Sequence, residues 1–206
     1  MKKFSQSDLL SSFAVNGAGK FVNRFFESKY ERIYIKIPEL DYKRGNVFIL
    51  DINDLIRTTS NIRFSFEKLL NLLYLDLLRQ VQQGMDLEAF GYSLIEKKQL
   101  QEQRLYKTIK NVRRQNEYSY IFEEKIVNAK KENSIITISF KLEKRFLYRG
   151  EVLLYDLFEL FPEFKITVEE LISIYYIDFI TKIKHGDSNI LKGIIQAIDV
   201  SEFDNL

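Results

Sequence analysis

Apolar residues recur along this chain in two rhythms, and the rhythms divide it into elements. From Ser65 they fall at three- and four-residue steps, with Phe66, Leu69, Leu70, Leu73 and Leu77 on one face and Gly84 closing the run. That is the period of an amphipathic helix with a glycine stop. Leu72, Leu75 and Leu78 widen the stripe, which predicts burial on more than one side. Thr167-Val168-Glu169-Glu170 is a capping box, and it opens the most apolar helix of the chain, which ends at Gly186. Asp187 or Ser188 caps a final helix with Ile190, Leu191, Ile194, Ile195 and Ile198 on one face. Ser7 caps a first helix with Asp8 in its opening turn. A short helix is predicted over 151–161, stopped by Pro162, and a long helical stretch over 86–114, loosened at Gly91.

The second rhythm has period two. Ile136, Ile138, Phe140 and Leu142 alternate with Thr137, Ser139, Lys141 and Glu143, which predicts a half-buried strand. Residues 30–37 alternate less cleanly, but their β-branched and aromatic content argues strand, and 47–52 reads as a second one across a turn at 41–46. A further hairpin joins 118–127 to 134–147, although 120–131 also fits a helix. The predicted class is α+β and helix-dominated, with two short β-hairpins packed with about six helices, two of them highly apolar core helices. We divide the chain into a helix–hairpin–helix region over 1–116 and a hairpin plus helices over 117–206, either as two domains or as one compact unit.

Composition then removes classes of chemistry. The chain of 206 residues has no cysteine, which excludes disulfides, thiolate zinc sites, iron–sulfur clusters and cysteine nucleophiles. One histidine, His185, is too few for a two-imidazole metal site. It stands beside Gly186 at a helix C-terminus and reads as a capping cation. The oily runs 69–78 and 171–180 each carry an aspartate and fall well short of the roughly 20 residues a membrane span needs. A short apolar stretch near the N-terminus is broken by Asp8 and serines, unlike a signal peptide. We therefore expect a cytoplasmic protein with no membrane association.

Three motifs invite functional readings and lose most of them on inspection. Gly17-Ala18-Gly19-Lys20 looks like the centre of a phosphate-binding loop, but Ala14 stands where the first glycine belongs and Phe21 where the magnesium-binding hydroxyl belongs. The glycines read better as a turn between helices, which raises a helix-turn-helix with 20–29 as recognition helix, against which stand Phe21, Phe25 and Phe26. Asp41-Tyr42-Lys43 has the carboxylate-x-lysine spacing of magnesium-dependent nucleases, in which one strand offers both groups to metal and water. Next to Arg44-Gly45-Asn46 it reads more simply as a polar turn. Asp51-Ile52-Asn53-Asp54 lacks the glycine and distal glutamate of a calcium loop. No metal site and no cofactor is assigned.

Charge changes the picture more. Residues 1–100 hold 15 Lys/Arg against 12 Asp/Glu, residues 101–150 hold 12 against 6, and residues 151–206 hold 4 against 11. On a helical wheel, Arg104, Lys107, Lys110 and Arg114 line one side of the 86–114 stretch, with Leu105, Ile109 and Val112 on another. Tyr106, Tyr118 and Tyr120 stand near them, the mixture of rings and cations found on single-strand nucleic-acid surfaces. We expect a non-enzymatic, nucleic-acid-associated accessory protein holding DNA or RNA phosphates through Arg104, Lys107, Lys110, Arg113 and Arg114, with help from Lys130, Lys131, Lys144 and Arg145. The alternative is an assembly or scaffold protein, a homo-oligomer or a subunit of a larger complex such as that of a virus or mobile element. Its basic middle would dock on the acidic C-terminal quarter of a partner. A magnesium nuclease at Asp41 and Lys43 is the third reading.

Overall fold

The computed structural model describes residues 3–11, 28–56, 63–104, 106–116, 119–128, 134–163, 165–186 and 193–194, with 103–104 and the strands within 106–128 described through their backbone. In chain order the elements are β1 (Tyr30–Pro38), α1 (Glu39–Ile56), α2 (Phe66–Gln82), α3 (Leu87–Arg104), β2 (Tyr106–Asn116), β3 (Ser119–Asn128), β4 (Ile135–Glu143), α4 (Lys144–Leu160) and α5 (Val168–Lys184). The fold is α+β and dominated by helices. Its strands form two separate antiparallel pairs, β1 with β4 and β2 with β3.

Helix α5 sits at the centre of the described elements and packs against β1 and against α1, α2, α3 and α4. Val168, Leu171, Ile172, Ile174, Tyr176, Ile177, Phe179 and Ile180 are buried around most of its circumference, as a helix that is apolar on nearly all sides must be. Its start is the anticipated capping box. The Thr167 side chain accepts from Glu170 N–H, and Glu170 returns the bond to Thr167 N–H. His185 is its C-cap residue. Helix α2 begins, as expected, at Ser65, whose hydroxyl accepts from Lys68 N–H at 3.2 Å.

Two tyrosines fasten helices through their glycines in the same way. Tyr176 of α5 donates its hydroxyl proton to Asp41 O at 2.7 Å, and an added Cβ on Gly45 of α1 would strike that hydroxyl. Tyr74 of α2 donates to Phe146 O at 3.0 Å, and a Cβ on Gly150 of α4 would strike it likewise. In each case the acceptor lies four residues before the glycine, so the ring lies over one helical turn that lacks a side chain.

Several expected elements differ. The segment read as turn and strand over 41–52 is the body of α1, with Phe48, Ile49, Ile52 and Ile56 buried at helical spacing. Gly45 signals helix contact there, not a turn. β1 therefore lacks its expected hairpin partner and pairs with β4, Ile33 opposite Phe140 and Ile35 opposite Ile138. β3 pairs with β2, so the second expected hairpin also has a different partner. The predicted helix over 86–114 stops at Arg104 and continues as a strand. Helix α4 begins at Lys144, earlier than expected, because Gly150 is accommodated within it. The β1–β4 pair joins segments on either side of residue 116, and that position also lies at the end of β2.

Candidate nucleic-acid interface

β1 and β4 are clean half-buried strands. Ile33, Ile35, Ile37, Phe140 and Leu142 are buried, and β1 faces α5 while β4 meets α2. Alternation then sends Arg32, Tyr34 and Lys36 of β1 and Thr137, Ser139 and Lys141 of β4 to the other, exposed face. The register sets Arg32 opposite Lys141, Tyr34 opposite Ser139 and Lys36 opposite Thr137. Tyr34 keeps 45% of its surface exposed. Among the described residues, none of these three cations belongs to an ion pair. Two like charges directly opposite on neighbouring strands repel, and an anion lying between them relieves the repulsion.

The backbone of this face is held at its edges. Lys141 N–H donates to Glu67 Oε1 at 2.8 Å, and Asn71 Nδ2 donates to Lys141 O at 3.3 Å, so α2 closes the outer edge of β4. At one end Glu143 is buried with its carboxylate between two cations, Lys29 Nζ at 3.0 Å and Arg145 Nε at 2.6 Å. The hydrogen bond to Glu143 holds the Lys29 ammonium above the ordinary lysine pKa. Arg145 also stacks on Phe146, 4.4 Å from the ring centroid.

The sequence-predicted residues fare differently from one another. Arg104 ends α3, and Lys107, Lys110, Arg113 and Arg114 lie on β2. The side that Arg104, Lys107, Lys110 and Arg114 were expected to share depended on a helix, and β2 is a strand. Positions 107 and 113 fall on one face of the β2–β3 ribbon, and 110 and 114 on the other. Lys110 is paired in register with Glu124. Lys130 and Lys131 lie outside the described residues, as does the Gly17-Ala18-Gly19-Lys20 segment with both readings attached to it. Lys144 and Arg145 form the first turn of α4, where Arg145 is already committed to Glu143. Arg32, Lys36 and Lys141 were not among the expected cations. The alternation around Ile33, Ile35 and Ile37 signalled the exposure of Arg32 and Lys36, and that around Phe140 and Leu142 the exposure of Lys141, but nothing local revealed that β1 and β4 are partners.

Other charged clusters serve the fold. Asp41 and Lys43 stand on a helix, where Asp41 takes Arg44 at 2.8 Å and Lys43 takes Glu39 at 2.7 Å, so the strand-borne carboxylate-x-lysine arrangement is not formed. Buried Glu151 accepts the Ser5 hydroxyl and the N–H groups of Leu9 at 3.0 Å and Leu10 at 2.7 Å, while Glu169 accepts Gln6 N–H at 2.9 Å. Together they clasp the N-terminal segment to α4 and α5. Burial raises the Glu151 pKa, opposed by these three donors and reinforced by the charge of Asp8. Among the described residues no cluster of three or more His, Asp or Glu is suited to a metal, and no helix is long and apolar enough to cross a membrane.

No known family matches this chain. No curated protein and no solved structure matches it either.

Proposed function

We propose that this protein binds nucleic acid through the exposed face of the β1–β4 pair, as an accessory protein without chemistry of its own. Arg32, Lys36 and Lys141 would hold phosphates, and Tyr34 would offer a ring on which a base stacks. The observation that carries this reading is that Arg32 stands opposite Lys141 in the ladder, neither of them in an ion pair among the described residues, with an exposed tyrosine beside them. Lys144 would extend the basic surface, and one face of the β2–β3 ribbon, with Lys107 and Arg113 or with Lys110 and Arg114, would supply a further pair of cations.

Fluorescence anisotropy with labelled single- and double-stranded DNA and RNA tests it. Three phosphate contacts on a single strand give a logarithmic salt slope of about −2, which is roughly a 20-fold loss of affinity between about 50 and 200 mM salt. Arg32→Glu and Lys141→Glu should each weaken binding and flatten that slope. Absence of binding at low salt would refute the proposal. Binding that survives both substitutions but is lost in Arg113→Glu/Arg114→Glu would refute the β1–β4 face and move the site to the ribbon.

A further inference from the structure

Helix α1 has a second face. Its buried side carries Phe48, Ile49, Ile52 and Ile56. Directly opposite runs a line of exposed residues at steps of four, three and four, namely Lys43, Val47, Leu50 and Asp54. Val47 and Leu50 are 57% and 62% exposed, among the most exposed large apolar side chains of the described residues, and Leu40 lies beside Val47 on the same side of the helix. That spacing is the seam of a helix pair, with two apolar positions between a cation and a carboxylate.

We propose that this seam binds the same seam of a second copy of the chain, antiparallel, about a twofold axis passing between residues 48 and 49. The order of residues chooses this occupant. Reversed on itself, the line places Val47 against Leu50 of the second copy and Lys43 against Asp54 of the second copy, and the axis repeats each contact. A surface used twice in one symmetric interface must be self-complementary, and the sequence cation, apolar, apolar, anion is self-complementary only when the helices run antiparallel. Lys43 already meets Glu39 at 2.7 Å within its own helix, so the lysine would be shared between the two carboxylates. One helix pair is smaller than a standard interface, so association is concentration-dependent, not permanent. This proposal is independent of nucleic-acid binding and is tested without nucleic acid.

Sedimentation equilibrium over a concentration series reads it directly. The wild-type mass rises from monomer toward dimer with concentration. Lys43→Glu brings two carboxylates together at each end of the seam and weakens association at least about tenfold. Asp54→Lys does the same with two ammonium groups, and Lys43→Glu/Asp54→Lys restores dimerisation, because the reversed pair is again complementary. Leu50→Glu abolishes it. All four positions face away from the core, so circular dichroism should show the helices intact in each variant. A monomeric mass up to about 1 mM protein overturns the proposal. So does self-association that Leu50→Glu leaves unchanged, or a double reversal that fails to restore what the single reversals lose.

Discussion

Gly150→Ala separates helix propensity from tertiary contact, because the two act in opposite directions. Alanine in a helix interior is favoured over glycine by about 1 kcal/mol, so α4 taken alone would gain. In the folded protein the new methyl would land on the Tyr74 hydroxyl, with Tyr74 Cζ and Val168 Cγ2 each only 3.1 Å away. Tyr74 is almost wholly buried and its hydroxyl has Phe146 O as acceptor at 3.0 Å. Pushing the ring aside leaves a buried donor without its partner, at about 1–3 kcal/mol, and overpacks the α2–α4 contact by about 1–3 kcal/mol more. Less the propensity gain, the net loss is about 1–5 kcal/mol, or roughly 2–20 °C in melting temperature at about 2–4 °C per kcal/mol.

Urea titration followed by circular dichroism reads this as a lower midpoint at unchanged slope. A double-mutant cycle identifies the cause. Tyr74→Phe alone should cost about 0.5–1.5 kcal/mol, since Phe146 O loses only its second donor. In the Gly150→Ala background the same change should cost less or help, with coupling of at least about 1 kcal/mol. Full rescue is not expected, because the ring itself is still close. A neutral or stabilising Gly150→Ala, or strictly additive effects, would refute the account. Gly45→Ala with Tyr176→Phe should repeat the pattern in α1.

Thr167→Ala removes one half of the α5 capping box and should cost about 1 kcal/mol in the same titration, while Thr167→Ser should cost far less. Glu151 gives a pH dependence of definite sign. Its pKa is raised in the folded protein, so between the unfolded and folded values the folded state holds the extra proton and the Glu151 contribution to stability falls as pH rises. Glu151→Gln should therefore lose most relative to wild type at the acid end of that window, with the gap narrowing upward. A gap that widens with pH would show the charged form to be the favoured one. Loss of the carboxylate should also speed amide exchange at Leu9 and Leu10, whose N–H groups it accepts.

Signals written within one element were legible in the sequence. Ser65, Thr167 and Glu170 act through hydrogen bonds to residues three positions away, and the strand alternation over 135–143 is visible without knowing its partner. What failed depends on residues far along the chain. The run 47–52 is as good a strand as a helix in isolation, and only the core offered by α5 selects the helical spacing of Phe48, Ile49 and Ile52. Gly45 and Gly150 look like breaks until Tyr176 and Tyr74 are seen to lie over them. Over 106–116 the apolar spacing matched a helix, yet the β-branched and aromatic residues of 119–128 supplied a neighbouring strand, and pairing prevailed.

The candidate site follows the same logic. Charge counted in windows along the chain locates a surplus in 101–150, but a surface is assembled across the ladder. Pairing Tyr30–Pro38 with Ile135–Glu143 sets Arg32 and Lys36, from a nearly balanced stretch, beside Lys141, from the basic one. The helix that was to carry Lys107, Lys110 and Arg114 on one side is a strand that divides them between two. A one-residue slip of β4 against β1 would exchange its inward and outward positions, and Phe140 and Leu142 resist that slip because they are buried. The hydrophobic face thus sets the register, and the register brings Arg32 and Lys141 together.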